Sequence, residues 1–414
     1  MDAKGDMESG GRLPDVAISV QKGADPVPVA ERGSRLRLRW PARRHWARAM
    51  VALLLVVLLG GRQAGPEPVE SANPPLVGFS FSPAAVPTGV DPVTSLEDLL
   101  TTLQPDVVRL PVYWSDVMPT PGVIDFTQTD ALLSAVTQHN LADPQHPTRV
   151  ILVVGVRNID YPEVWAPTWM SDRDLRDLTS VVHTPDFEDY FTSTIEHYAT
   201  DPLLLDWQVE NEPYDNVTSG LSSNVAIGNL ALRGEVQLIR RLDRLHPVIV
   251  TTFDSATVAL DQEENSSLSW LLRLLPIPQA VGHPSDALSA GDALGLDAYV
   301  VTPTTPLKQA TADVRIGWKA AALDYWARQS IDVNKPLWIT EMQASPWAGA
   351  PNFTTKDLLF SARAYSRVGA TGVLLWGVEN WPQNPRWMRA GKEAVQILRQ
   401  EAGRARLPGD GAKD

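Results

Sequence analysis

Two short stretches of this 414-residue chain run into a carboxylate: Trp207-Gln-Val-Glu-Asn-Glu-Pro213 and Leu337-Trp-Ile-Thr-Glu341. Each begins as an apolar run of the β-branched and aromatic residues that suit strands, and each stops at Glu. A strand that delivers an acid at its carboxyl end, twice, can hold two carboxyl groups across one bond. Paired carboxyls of this kind are the usual machinery for breaking a glycosidic bond. Glu212 and Glu341 are therefore the candidate catalytic pair. The competing reading makes them loop carboxylates in surface ion pairs, which their strand-end context disfavours. Glu210, two residues before Glu212, reads as a structural acid.

Other chemistries lack their residues. The chain has no cysteine, so it has no disulfide, no thiolate nucleophile and no thiolate ligand. Its body histidines (139, 146, 183, 197, 246 and 283) are scattered, with no pair at metal-ligand spacing. No Gly-x-Ser-x-Gly elbow, phosphate loop or dinucleotide fingerprint occurs. The run Asp172-Arg-Asp-Leu-Arg-Asp177 mixes two arginines with its acids and lacks a glycine for the turn of a calcium loop. The expectation is a site without metal or cofactor.

Positioning the two acids falls to an alternation of β-like and helix-like segments that starts at Leu76. The predicted strands are Val77–Phe81, Val107–Val112, Arg149–Val156, Leu204–Val209, Val248–Phe253, Ala293–Val301, Leu337–Thr340 and Gly372–Trp376. Amphipathic stretches separate them: Ser95–Leu103, Gln128–His139, Asp186–Tyr198, Asn224–Leu245, Leu307–Gln329, Thr355–Val368 and Arg386–Glu401. The fifth repeat is the weakest, with one short helix (Leu268–Leu275) inside a Pro-rich excursion over 262–290. Eight apolar strands, most followed by a helix, predict an α/β fold, a single (β/α)₈ barrel. Their continuous apolar character suits parallel strands buried on both faces. Such barrels carry chemistry at the carboxyl ends of their strands, where Glu212 and Glu341 fall.

Charge divides the chain. Residues 1–48 hold ten Lys/Arg against six Asp/Glu, whereas from Gln63 onward 25 basic face 43 acidic residues, a balance near −18. An acidic body excludes nucleic acid as an expected partner, because the phosphates would repel it. Seven arginines between Arg32 and Arg48 lead into the uncharged run Ala49–Gly61. A basic flank followed by an apolar block predicts an export signal with its basic side in the cytoplasm. Thirteen residues at about 1.5 Å rise reach about 20 Å, short of the roughly 30 Å hydrocarbon core, which favours a signal-peptide core. The long leader favours an uncleaved membrane anchor through 49–61, and Arg62 and Ala64 make a poor cleavage pair. Either way the body is expected to be extracytoplasmic, secreted or tethered. The expected organisation is a disordered leader (1–48), the apolar segment (49–61), a linker (62–74), the barrel (75–403) and a flexible tail (404–414).

Over about residues 75–400 the chain resembles clan A of the glycoside hydrolases. Asn211-Glu212-Pro213 matches the clan's motif after strand four, and Ile339-Thr340-Glu341 its strand-seven end. Arg109 in Val108-Arg-Leu-Pro111 stands at the strand-two arginine, and Trp376 in Leu374-Leu-Trp-Gly377 at the strand-eight tryptophan. Tyr299 in Leu296-Asp-Ala-Tyr299 falls where many members carry a strand-six tyrosine. Any one tripeptide is weak; five in order at predicted strand ends are specific. The resemblance implies a retaining β-glycosidase acting on an oligo- or polysaccharide, with Glu341 as nucleophile and Glu212 as acid/base. It implies carboxyls roughly 5 Å apart. Arg109 and Tyr299 would hold the nucleophile, Asn211 would meet the sugar 2-hydroxyl, and Trp376 would floor the sugar ring. Tyr113, Trp114, Trp165, Trp169, Trp347 and Trp381 follow strands two, three, seven and eight, where each is either a sugar platform or a loop anchor. Two alternatives stay open: an envelope transglycosylase on the same site, and a carbohydrate-binding barrel without turnover.

Overall fold

The computed structural model describes residues 74–160, 163–171, 173–214, 226–254, 283–300, 312–347 and 350–404. The expected leader, apolar segment and linker lie outside these residues, save Pro74, as do the helix Leu268–Leu275 and the tail beyond Arg404. Among the described residues no helix is long and apolar enough to cross a membrane.

The eight strands are β1 (Leu76–Ser80), β2 (Val107–Tyr113), β3 (Arg149–Gly155), β4 (Leu204–Val209), β5 (Val248–Asp254), β6 (Ala293–Ala298), β7 (Leu337–Gln343) and β8 (Gly372–Trp376). All neighbours pair in parallel, and β8 pairs back to β1 to close the barrel. The helices that return the chain are α1 (Pro92–Leu103), α2 (Thr127–Ala142), α3 (Pro185–Tyr198), α4 (Asn229–Leu242), α5 (Pro284–Ala290), α6 (Ala312–Asp332), α7 (Thr355–Tyr365) and α8 (Pro385–Arg404). This is the (β/α)₈ barrel expected from the alternation.

Local chemistry sets the helix ends. The Asp91 carboxylate accepts from the Thr94 amide at 2.8 Å, and Pro92 occupies the first turn of α1, where a missing N–H costs nothing. That is why α1 starts three residues before the predicted Ser95. Thr354 and Asp357 form a reciprocal capping box on α7. Predicted α4 was too long at both ends: Asp243 stops it by turning its carboxylate to Trp207 Nε1, at 2.9 Å, and to the Leu245 amide, at 2.8 Å.

Two kinds of core result. Outside the sheet, strand and helix side chains form one large apolar layer. A second cluster comprises Val107, Ile151, Ile249, Ala293, Trp338 and Leu374, flanked by Leu76 and Leu205, so that every strand contributes one residue. Such a ring fills the barrel interior. Side chains alternate along a strand, so residues two positions further on share its face. From that plug upward the interior becomes polar: Val107 leads to Arg109, Ile249 to Thr251, and Trp338 to Thr340. Leu374 leads likewise to Trp376. The plug seals one end, and the polar tier faces the carboxyl end of the strands.

Trp338 fits in the plug only because Gly372 has no side chain, since a Cβ there would lie 2.1 Å from the indole. Gly372→Ala is therefore expected to destabilise the barrel by about 1–3 kcal/mol, as overpacked cores do. A urea-denaturation midpoint equal to that of the parent protein would contradict this packing.

Candidate active site

Backbone irregularity aims the first acid. Glu210 and Glu212 adopt left-handed conformations, φ 57° and 47°, where residues other than glycine are strained. Three hydrogen bonds hold them: Glu210 N donates to Val154 O at 2.8 Å, Asn211 N to Arg157 O at 3.0 Å, and Glu212 N to Thr251 Oγ1 at 2.9 Å. The Gln208 amide adds a bond to Glu210 O at 2.9 Å. Glu210 itself turns away from the mouth and accepts from the amides of Val156, at 2.9 Å, and Arg157, at 2.5 Å. Gly155, φ 143°, passes so close that a Cβ would sit 2.4 Å from the Glu210 carboxyl carbon. Glu210 is thus the clamp between β3 and β4, in line with its reading as a structural acid.

A bulge aims the second. Along β6 and β7 the register runs Leu296 to Ile339 and then Asp297 to Glu341, passing over Thr340. A bulge of this kind bends the strand and redirects its side chains. Released from the ladder, the Thr340 carbonyl accepts from Arg109 Nη1 at 3.0 Å and from Ser80 Oγ at 3.0 Å.

Arg109 ties the two acids' strands together. It has no exposed surface. Its Nη2 donates to Glu341 Oε1 at 3.0 Å and to Asn211 Oδ1 at 2.7 Å, while Nη1 also reaches Ser80 Oγ at 3.0 Å. Tyr299 Oη donates to the other oxygen of Glu341. Trp376 stands edge-on to Tyr299, ring centroids 5.0 Å apart, and Trp347 packs on the same phenol at 5.3 Å. All six candidates (Arg109, Asn211, Glu212, Tyr299, Glu341 and Trp376) therefore gather at one rim. The side-chain oxygen of Asn211 is taken by Arg109 and by Gln208 Nε2, at 3.2 Å. Its amide N–H is what remains for a ligand.

Sequence reasoning missed Asp297. It is fully buried on β6, opposite Glu341, accepts from Thr340 Oγ1 at 2.6 Å, and lies against the Glu212 side chain. Burial, and then the negative charge of Glu341, push its carboxyl well above the ordinary range. The signal was present: it is a lone acid in an apolar strand, two residues before Tyr299 and so on the same face.

The other aromatics divide. Trp381 is buried, bonded through Nε1 to Ser345 Oγ at 2.9 Å and stacked on Trp387. Trp114 is buried among Trp169, Phe187 and Tyr190. Both are anchors of the loops, not sugar platforms. Trp165, half-buried and stacked on Tyr113 at 4.0 Å, and Trp347, half-buried beside Tyr299, keep partly open faces.

No protein-family model and no curated protein sequence matches the chain. Similar solved structures do exist. One is GH5_18 from Streptomyces cattleya in complex with GlcNAc: TM-score 0.55, 16% identity, covering 80% of this chain and 82% of that one. Another is an endo-β-1,4-mannanase from Thermotoga petrophila: TM-score 0.53, 12% identity, covering 81% and 78%. A GH5_18 variant from Bifidobacterium longum in complex with a Man-β-1,4-GlcNAc disaccharide matches at TM-score 0.54 and 11% identity, covering 81% and 79%. At these identities the likeness is one of fold: this chain shares the barrel of GH5 glycoside hydrolases.

Behind the rim, Glu235 on α4 is buried beside Glu210. Burial and the Glu210 charge push its carboxyl well above the ordinary range, and burial pushes Glu210 up to about 7. Asp206 and Glu379 are likewise pushed up to about 7, chiefly by burial. The folded state therefore holds protons that the unfolded chain releases above the ordinary carboxyl range, near 4. The contribution of these four groups to stability is fully present below that range and is lost as pH rises through about 7. The urea midpoint should be lower at pH 8 than at pH 5.5, and Glu235→Gln should flatten the difference. A midpoint that climbs with pH would contradict this.

Proposed function

We propose that the chain is a retaining glycoside hydrolase that cleaves β-glycosidic bonds of an oligo- or polysaccharide by double displacement. One observation carries the reading: a single buried guanidinium bonds both Glu341 and Asn211, the neighbour of Glu212, so residues distant in sequence meet at the carboxyl rim. The shared barrel of GH5 glycoside hydrolases supports it.

In this mechanism Glu341 attacks the anomeric carbon while Glu212 protonates the departing oxygen. Arg109 and Tyr299 each bond one oxygen of Glu341, which fixes the carboxylate plane. The glycosyl-enzyme neutralises the nucleophile, and Glu212 then takes a proton from the incoming water. The Asn211 N–H meets the sugar 2-hydroxyl, a contact that strengthens in the oxocarbenium-like transition state. Trp376 offers an aromatic edge and face to the apolar side of the ring. The substrate is a carbohydrate, the chemistry calls on no cofactor, and the apolar run at 49–61 exports or tethers the enzyme outside the cytoplasm. Transfer to an acceptor sugar in place of water uses the same site.

Glu341→Ala should lower turnover of an aryl β-glycoside by at least about 10⁴-fold, and azide should partly restore it as a glycosyl azide of inverted configuration. Natural product released with inverted stereochemistry, measured by proton NMR, would rule out the double displacement.

A further inference from the structure

A cavity of about 170 Å³ opens at the carboxyl rim, with Ser80, Ser82, Asp160, Trp376, Glu379 and Asn380 in its lining. Ser80 bonds Arg109 and Trp376 packs on Tyr299, the two residues that hold Glu341. Its described walls come from the ends of β1, β7 and β8 and from the segment after β3, and none from β4, β5 or β6. Glu212 stands at the end of β4. An acid that protonates the departing oxygen lies on the leaving-group side, so this cavity is on the opposite, glycone side.

Two carboxyls face it. Glu379 is buried and accepts from the Ser82 amide at 3.0 Å, and no cation pairs with it among the described residues. Asp160, held in a left-handed conformation of φ 74°, accepts from Ser82 Oγ at 3.3 Å. The same hydroxyl shares a 2.8 Å bond with Tyr113 Oη, which donates to Ile159 O at 3.0 Å. Ser82 thus spaces both carboxyls along one wall, and Trp376 supplies an aromatic one. Glu379 feels the charges of Asp160 and Glu341.

Carboxylates bind hydroxyl pairs strongly, since a charged acceptor roughly doubles a hydrogen bond. In a half-enclosed space they also repel another anion with little screening. We propose that this cavity is the glycone subsite for an uncharged hexopyranosyl unit, held by Glu379 and Asp160 through its hydroxyls and closed to sugars that bear a carboxylate. The proposal rests on the glycosidase reading for which sugar enters, but its test reads binding alone.

The measurement is equilibrium titration, at pH 8, of the full chain and of Glu379→Gln. The probes are the methyl β-glycosides of glucose, mannose and galactose and of the three matching uronic acids. Gln keeps an oxygen for the Ser82 amide, and a urea midpoint checks that the fold is retained. At least one neutral glycoside should bind the parent, with its uronic counterpart at least about tenfold weaker. In Glu379→Gln the neutral affinity should drop roughly tenfold or more and the gap between the classes should narrow. Equal binding of neutral and uronic sugars to the parent, no neutral binding, or an unchanged ratio in the variant would overturn the proposal. Binding as expected without hydrolysis of any aryl glycoside would count against the glycosidase reading alone.

Discussion

Arg109 puts a permanent positive charge inside the barrel with no surface left to water. A charge so placed must be paired and hydrogen-bonded, and stripping a buried pair of one partner typically costs about 3–5 kcal/mol. Here Ser80, Thr340, Asn211 and Glu341 meet it from β1, β7 and the end of β4. The planar fork matters as much as the charge. Two nitrogens address four acceptors in fixed directions, which a lysine ammonium on a flexible stem would not reproduce.

The backbone departs from regularity where this arrangement requires it. The bulge at Thr340 releases a carbonyl to the guanidinium and brings Glu341 opposite Asp297. At the end of β4, two left-handed glutamates within three residues bring Asn211 to Arg109 and leave Glu212 at the mouth. Strain of roughly 1–3 kcal/mol per such residue persists because neighbours over-determine the geometry. Hydrogen bonds from β3, β5 and the Glu210 clamp do so here. A strained segment and a candidate catalytic residue coincide here.

Acid is the second theme of the site. Glu210, Glu235, Asp297 and Glu379 are all buried and all pushed above the usual carboxyl range. A raised affinity for protons lowers the mutual repulsion of carboxyls packed this closely, an effect that fades as pH rises. The price is a stability that declines toward alkaline pH.

The eight strands and the parallel barrel were legible in the chain itself, because burial on both faces writes continuous apolar runs. Glu212 and Glu341 stood out at the ends of two of them, whereas Arg109, Asn211, Tyr299 and Trp376 were picked out only by the resemblance to clan A. Leu204–Val209 and Gly372–Trp376 agree with the observed strands to the residue. What the linear order left open, folding decided. Asp297 and Glu379 acquire meaning only when β6 lies beside β7 and the β8 end beside Ser82, contacts across 44 and 297 residues of sequence. Trp114 and Trp381 look the same on paper as Trp376, yet packing buries two and opens the third to a cavity. Periodicity reports which face of an element is dry, a local property. Which groups share a charge, a proton or a ligand depends on distances through space, and only the closed barrel sets those.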